Sequence, residues 1–385
     1  MGVRVRYPDV VVVGSGVIGA ACAEALSAAG LRVTVLDRGP LGAGTSAAGE
    51  GNVLVSDKEP GPELDLALAS LLLWPALLDR LGVDVEWDAK GGLVVATSPD
   101  AAEALAGFAA SQRTAGVDAR PITPTEALDR EPHLTRAVVG AVHYPQDAQL
   151  QPVLVTKALL AVAAGRGTTL RPGVRALGLR RTAGAVSAVV TDDGDLPCGA
   201  VVNACGPWAG ETATAFDSPI TVLPRRGVVL VTAALPPTVR HKVYDADYVG
   251  AVASGDADLQ VSTVVESTAG GTVLIGSSRE RVGFDAALRV EVPRALAKRA
   301  VALFPVLADV PVLRAYGGFR PYAPDHLPII GPDPRTPGLW HATGHEGAGI
   351  GLAAATGRLL TDLLTSAEPV VDPTPFRVDR PGVCP

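Results

Sequence analysis

Four valines in succession, Val10 to Val13, break into glycines at Gly14, Gly16 and Gly19, and apolar residues then recur at helical spacing from Ala20 to Ala29. That pattern predicts a buried strand, a tight turn and an alanine-rich helix. A second apolar run, Arg32 to Leu36, predicts another strand with Asp37 at its end. After a glycine-rich stretch, 42–52, helical periodicity covers Glu63 to Leu81. Alternation predicts strands at Val85 to Trp87 and at Gly92 to Ala96. Helices follow over Ala101 to Ala115, over a short piece around Thr125 to Leu128 capped by Thr123 or Thr125, and over Gln151 to Ala164. Leu170, Val174 and the run Ala185 to Thr191 read as strands around turns, and Ala200 to Gly206 as a buried strand ending on glycine. Residues from about 220 to 320 are strand-rich, at Gly227 to Thr232, Leu259 to Val265 and Gly271 to Gly276, with a helix over Arg289 to Phe304. A short strand, Leu339 to Ala342, a glycine hinge and a last helix, Gly351 to Leu364, lead into a proline-rich, irregular tail at 373–385.

The opening unit is a strand, a G-x-G-x-x-G turn, a helix and a second strand closed by an acid, which is the Rossmann dinucleotide fingerprint in its expected context. Gly14 permits the turn, Gly16 lets a pyrophosphate approach the helix N-terminus, and Gly19 lets helix and strand pack closely. Asp37 suits a ribose diol and repels a 2′-phosphate. Pieces near 10–56, 170–210 and 340–365 fit this unit, and strand-rich pieces alternate with them. The expected fold is therefore α/β: a Rossmann-type domain interleaved with a mostly antiparallel sheet. The Rossmann-type domain takes 1–56, 150–215 and 325–372, and the second domain takes 57–149 and 216–324.

Composition narrows the chemistry. The 385 residues suffice for about two domains. A net charge of −7 and the lack of a basic block argue against nucleic acid as a partner. The longest apolar stretch, Leu66 to Leu78, is too short to span a bilayer, and no signal-peptide pattern precedes the first strand, so a cytoplasmic protein is expected. The four cysteines, Cys22, Cys198, Cys205 and Cys384, form no CxxC pair, so no metal site is expected. Cys22 and Cys205 read as small buried residues.

Six motifs, in this order, resemble the D-amino-acid oxidase family of FAD-dependent oxidoreductases. They are Gly14-Ser15-Gly16-Val17-Ile18-Gly19, Gly44-Thr45-Ser46, Val202-Asn203-Ala204-Cys205-Gly206-Pro207-Trp208, Gly276-Ser277-Ser278-Arg279-Glu280, Gly318-Phe319-Arg320-Pro321-Tyr322-Ala323-Pro324-Asp325, and Ala342-Thr343-Gly344-His345-Glu346-Gly347. Within the family the chain looks most like the D-hydroxyproline dehydrogenase β subunits and glycine-oxidase-like enzymes. The resemblance implies non-covalent FAD, since no cysteine lies between Cys205 and Cys384. It implies cofactor contacts from Val17, Ile18, Asp37 and Arg38. Further contacts come from the segment holding Thr45, Ser46, Gly51 and Asn52, with Ser46 as a hydroxyl donor and Val174 meeting the adenine. Ala204, Gly206, Trp208, Gly318, Arg320 and Glu346 complete the wall. Gly344, Gly347, Ala348, Gly349 and Ile350 bring backbone N–H groups and a helix N-terminus to the flavin, where the helix dipole favours the reduced, anionic form.

For the substrate, the resemblance implies a small amino or imino acid oxidised at its C–N bond. Arg320 is matched to carboxylate binding, with an ion pair to Asp325 as its plainer alternative. His345 and Glu346 are placed to influence the substrate nitrogen; a hydrogen bond to backbone is the plainer role for His345. Tyr248 covers the pocket or is an ordinary strand tyrosine. Tyr322 reshapes the pocket, and Arg279 faces the flavin or pairs with Glu280. The Gly-His-Glu-Gly form suits a secondary or cyclic amine of the D-proline or D-hydroxyproline kind, or a second positive group beside Glu346. Glycine, sarcosine or D-amino-acid oxidation by O2 is the competing reading. A third reading is an electron-transfer subunit needing an iron–sulfur or other acceptor subunit. Self-association is open on the same grounds.

Overall fold

The computed structural model describes residues 7–246 and 256–385. The valine run forms strand Val10–Val13, buried along its whole length, and the glycine turn opens helix Val17–Ala28. Among the described residues a six-stranded sheet runs Ile329–Pro332, Leu339–Thr343, Ala200–Asn203, Val10–Val13, Val33–Asp37, Thr169–Pro172. All its pairings are parallel except the one between Ile329–Pro332 and Leu339–Thr343. Strand order reverses beside Val10–Val13, so a crevice opens at the carboxyl ends of Val10–Val13 and Ala200–Asn203, where ligands of such sheets bind. Gly14 and Ala204 stand at that point.

Helix Val17–Ala28 packs on helix Gly349–Thr365. At Gly357 a Cβ would come within 2.6 Å of the Ala21 carbonyl oxygen, so the two backbones touch only because that side chain is missing. Apolar side chains of both helices, the sheet and helix Pro62–Leu81 merge into the largest core.

The second sheet has eight strands among the described residues, in the order Val312–Tyr322, Leu223–Thr232, Val273–Arg279, Gln260–Ser267, Lys242–Asp245, Gly92–Ala96, Gly140–Tyr144, Arg120–Ile122. Only the Lys242–Asp245 and Gly92–Ala96 pairing is parallel. Helix Glu291–Leu303 covers one face.

Two expectations change. Val85 to Trp87 is not a strand: Glu86 takes φ +57° and its N–H donates to Asp84 Oδ1 at 2.7 Å, an Asx-type turn. Val174 lies between strands, its N–H donating to the Asp37 carbonyl at 2.9 Å. The tail holds one short 3-10 turn, Thr374–Phe376, yet it packs, burying Phe376, Val378 and Val383. The capping alternative resolves to Thr123, whose hydroxyl accepts from the Glu126 N–H while Glu126 reaches back. No helix among the described residues is long and apolar enough to cross a membrane.

Candidate active site

A cavity of about 560 Å³ lies between the glycine turn and the second sheet. Its floor is the turn itself. Gly14 has φ +108°, and a Cβ there would lie 2.4 Å from the Ala204 carbonyl oxygen. A Cβ at Gly19 would lie 1.9 Å from the Gly14 carbonyl oxygen; Gly19 therefore allows the packing without lining the cavity. Helix Val17–Ala28 has no acid in its first turn and no cap from its own N-cap residue, Gly16. Ser46 supplies one from a distance: its Oγ accepts the Val17 N–H at 2.9 Å. Thr45 Oγ1 donates to the Phe319 carbonyl at 2.5 Å, tying the glycine-rich segment to strand Val312–Tyr322.

Asp37 ends its strand at the cavity. Its Oδ2 accepts from Ser15 N at 2.8 Å and Ser15 Oγ at 2.6 Å, and Oδ1 accepts from Gly39 N at 2.9 Å. The carboxylate is thus held in place, with lone pairs left for a ligand's hydroxyls. Arg38 lies over the Trp208 ring, 4.5 Å from its centroid, and Trp208 stacks on Phe284. Val174, Ala204 and Gly206 complete this end.

Gly16, Val17, Ile18, Gly44, Gly51 and Asn52 also line the cavity, as do Gly318, Gly347, Gly349 and Ile350. At Gly51 a Cβ would meet the Leu150 carbonyl oxygen at 1.8 Å, and at Gly318 it would meet Ala48 Cβ at 2.5 Å. Helix Gly349–Thr365 begins here with no acid in its first turn, so its positive end faces the space. Gly344, at φ +78°, packs on Ala323 and Ile329 instead, and Ala348 lines a smaller adjoining cavity. Tyr248 lies outside the described residues.

Arg320 projects from strand Val312–Tyr322 into the cavity, its Nη1 donating to the Ser278 carbonyl at 2.8 Å. Gly227, on the neighbouring strand, makes the room: a Cβ there would lie 2.2 Å from Arg320 Nη1. The alternative Asp325 pair is absent among the described residues, because Asp325 binds Arg380 at 2.6 Å. Arg279 lines the cavity too, with Nη1 donating to Ser277 Oγ at 3.1 Å, while Glu280 pairs with Arg226.

Glu346, at φ +44°, accepts from Arg225 at 2.6 Å and faces His326 at 3.2 Å. Burial alone would raise its pKa, but the His326 hydrogen bond and the Arg225 and Arg279 charges outweigh that and hold it below the ordinary value. Its charge is therefore answered by the protein. Arg225 is fully buried and faces the Tyr322 ring at 5.5 Å. Sequence reasoning missed Arg225: it sits 121 positions from its partner, in an ordinary strand. His345 lines the cavity, and its ring bonds Thr356 Oγ1 at 2.9 Å through Nε2 rather than backbone. Burial pushes its pKa down to about 3, so the ring is neutral. Lys242, unplaced by sequence, donates to Asn52 Oδ1 at 2.6 Å, behind the cavity wall.

The residues present fit FAD. The glycine turn holds a backbone that a Cβ at Gly14 or Gly19 would break, two helix N-termini border the space, and Asp37 offers acceptors for a diol. Among the described residues no group of three or more His, Cys, Asp or Glu is placed to hold a metal ion.

Comparison with known proteins agrees. The family model described as FAD dependent oxidoreductase matches residues 9–363. A glycine oxidase of Pseudomonas putida is 34% identical over 96% of this chain and 97% of its own. A hydrogen cyanide synthase subunit of Pseudomonas aeruginosa is 29% identical over 97% of this chain and 96% of its own. The crystal structure of glycine oxidase from Geobacillus kaustophilus superposes with a TM-score of 0.88 at 29% identity, covering 97% of this chain and 99% of that one. With a family match that spans both sheets and a cavity built to cradle a dinucleotide, the chain belongs to the FAD-dependent oxidoreductases.

Proposed function

We propose that this FAD-dependent oxidoreductase oxidises the C–N bond of a small amino or imino acid whose carboxylate is held by Arg320. The observation that carries the reading is the placement of that guanidinium: it enters the cavity that the glycine turn opens, in space left by Gly227, steadied by the Ser278 carbonyl. A planar guanidinium can give a carboxylate two parallel hydrogen bonds. Bound FAD supplies a two-electron acceptor. The chain's own contribution is positioning: Arg320 fixes the carboxylate end, and neutral His345 avoids adding positive charge near the substrate nitrogen.

Within this class we favour a secondary or cyclic amine, of the D-proline or D-hydroxyproline kind. The buried Arg225 supports this, because it balances the charge of Glu346, which lines the cavity, and so leaves no unopposed anion there. The glycine oxidase relatives favour the competing reading, a primary amine with O2 as acceptor. The relative described as a subunit favours a third, in which electrons pass to an iron–sulfur or other acceptor chain. FAD is held non-covalently in this reading, since no cysteine lies between Cys205 and Cys384. We assign the six-stranded sheet's segments to the cofactor and the eight-stranded sheet to the substrate, and place the enzyme in the cytoplasm.

Anaerobic mixing of the FAD-loaded enzyme with D- and L-amino acids, cyclic imino acids and N-methylated glycines tests this. Bleaching of the flavin by a cyclic or secondary amine supports the favoured reading. Bleaching by glycine alone replaces it, and no bleaching by any member refutes amine oxidation. Repeating the run in air while following peroxide separates oxidase from dehydrogenase.

A further inference from the structure

The cavity wall at residues 49–52 carries an ionisable group that amine chemistry leaves unused. Glu50 lines the cavity at 9% exposure. Its Oε1 has no hydrogen-bond partner among the described residues, and its Oε2 accepts from Asn52 Nδ2 at 3.3 Å. Asn52 in turn accepts from Lys242 Nζ at 2.6 Å, and Lys242 pairs with the fully buried Glu266 at 3.2 Å. Gly276 makes room for the carboxylate: a Cβ there would lie 2.3 Å from Glu50 Oε1. The backbone is anchored as well, because Gln149 Nε2 donates to the Glu50 carbonyl at 3.1 Å.

We propose that Glu50 takes up a proton when the bound FAD is reduced, and that Asn52, Lys242 and Glu266 position it and set its proton affinity. Lys242 reaches Glu50 through Asn52, and its other contact is the Glu266 carboxylate. Two-electron reduction of bound FAD would add negative charge to the cavity that Glu50 lines. The Glu50 carboxylate answers by binding one proton from solvent at Oε1. One O–H bond forms at Oε1 as one O–H bond of a solvent hydronium breaks, and the proton returns to solvent on reoxidation. An acid facing new negative charge at short range gains proton affinity.

The surroundings suit this. Burial raises the pKa of Glu266, and the Glu50 charge raises it further, while Lys242 and Lys90 act against both. Tyr316, on the neighbouring strand, is pushed up to about 12 by burial and by Glu50, so it stays neutral. Arg314 lies over the Tyr316 ring. Glu50 and Glu266 therefore sense each other across Lys242, and a change at one moves the other.

The test is the midpoint potential of the FAD-loaded enzyme, measured against pH by dye equilibration in wild type, Glu50→Gln, Lys242→Met and Glu266→Gln. This readout needs no amine substrate, so it stands or falls apart from the proposed reaction. In wild type one proton beyond those of the cofactor should accompany two-electron reduction within a defined pH window. Glu50→Gln should abolish that extra proton. Lys242→Met should move the window to higher pH, and Glu266→Gln to lower pH, each by about one unit or more. Opposite shifts from two buried neighbours are not what a merely structural role produces. Should Glu50→Gln fail to retain FAD, the opposed pair decides alone. Identical potential–pH curves for wild type and the variants, or shifts of one sign in both neighbours, overturn the proposal.

Discussion

Replacing Arg225 by methionine should cost the folded enzyme about 3–5 kcal/mol at neutral pH. Unit charges about 4 Å apart attract by about 4 kcal/mol at an effective dielectric of about 20. The Arg225–Glu346 contact is 2.6 Å between nitrogen and oxygen, with the arginine fully buried and the glutamate 10% exposed. Removing one partner of such a pair is strongly destabilising because a desolvated charge remains. In Arg225→Met, Glu346 keeps only His326 in hydrogen-bonding contact among the described residues. The pH dependence gives the reasoning its sign. In wild type the Glu346 pKa is held below the ordinary 4.5, so its contribution is present above that value and lost as pH falls. Without Arg225, burial is less opposed and the folded-state pKa rises. The variant's deficit should then shrink as pH drops towards 5. The double variant Arg225→Met, Glu346→Gln should recover most of the loss. Urea unfolding of the FAD-loaded proteins at fixed excess FAD, followed by far-UV circular dichroism between pH 5 and 8, measures all three quantities. A loss below about 1 kcal/mol, a pH-independent deficit, or a double variant no better than the single one would refute this account.

Three other outcomes are expected. Gly14→Ala forces a Cβ to 2.4 Å from a backbone oxygen at φ +108°, so FAD should bind roughly ten- to a hundred-fold more weakly, read by flavin fluorescence quenching. Arg320→Met should raise the dissociation constant of a carboxylate substrate, or of a carboxylate inhibitor in spectral titration, by about ten- to a hundred-fold, and Arg320→Lys should restore little because the fork is lost. His345 has a folded-state pKa near 3 against 6.5 unfolded. Its stability contribution is therefore complete above about pH 6.5 and lost as pH falls towards 3, at up to about 1.4 kcal/mol per pH unit. The unfolding free energy of His345→Gln should show a shallower decline over that interval, provided the variant folds at pH 7.

Much of the cofactor end could be read without coordinates. Val10 to Asp37 encodes its strand, turn, helix and strand through residue spacing alone, because a glycine turn and a helix N-terminus are built from neighbours in the chain. Helix ends came within a few residues for the same reason: caps such as Thr123 act over three positions. Strand Val312–Tyr322 was not recognised, although it carries Arg320. Gly317, Gly318 and Pro321 weaken its strand signal, and only an edge position beside Leu223–Thr232 accommodates them. Val85 to Trp87 alternates like a strand but is turned by Asp84.

The charges around the cavity were decided by the tertiary structure. Arg225 and Glu346 are 121 positions apart, and Lys242 and Asn52 are 190 apart. Sequence spacing carries no information about such pairs, since each depends on how two sheets face each other. Only the fold identifies Arg225 as the positive group beside Glu346, and only the fold shows the space that Gly276 leaves for Glu50. Local periodicity set what the chain could cradle, because backbone geometry is a short-range property. Burial and long-range pairing set which ionisable groups stay charged beside the cradle, because desolvation and Coulomb attraction exist only once the distant segments meet.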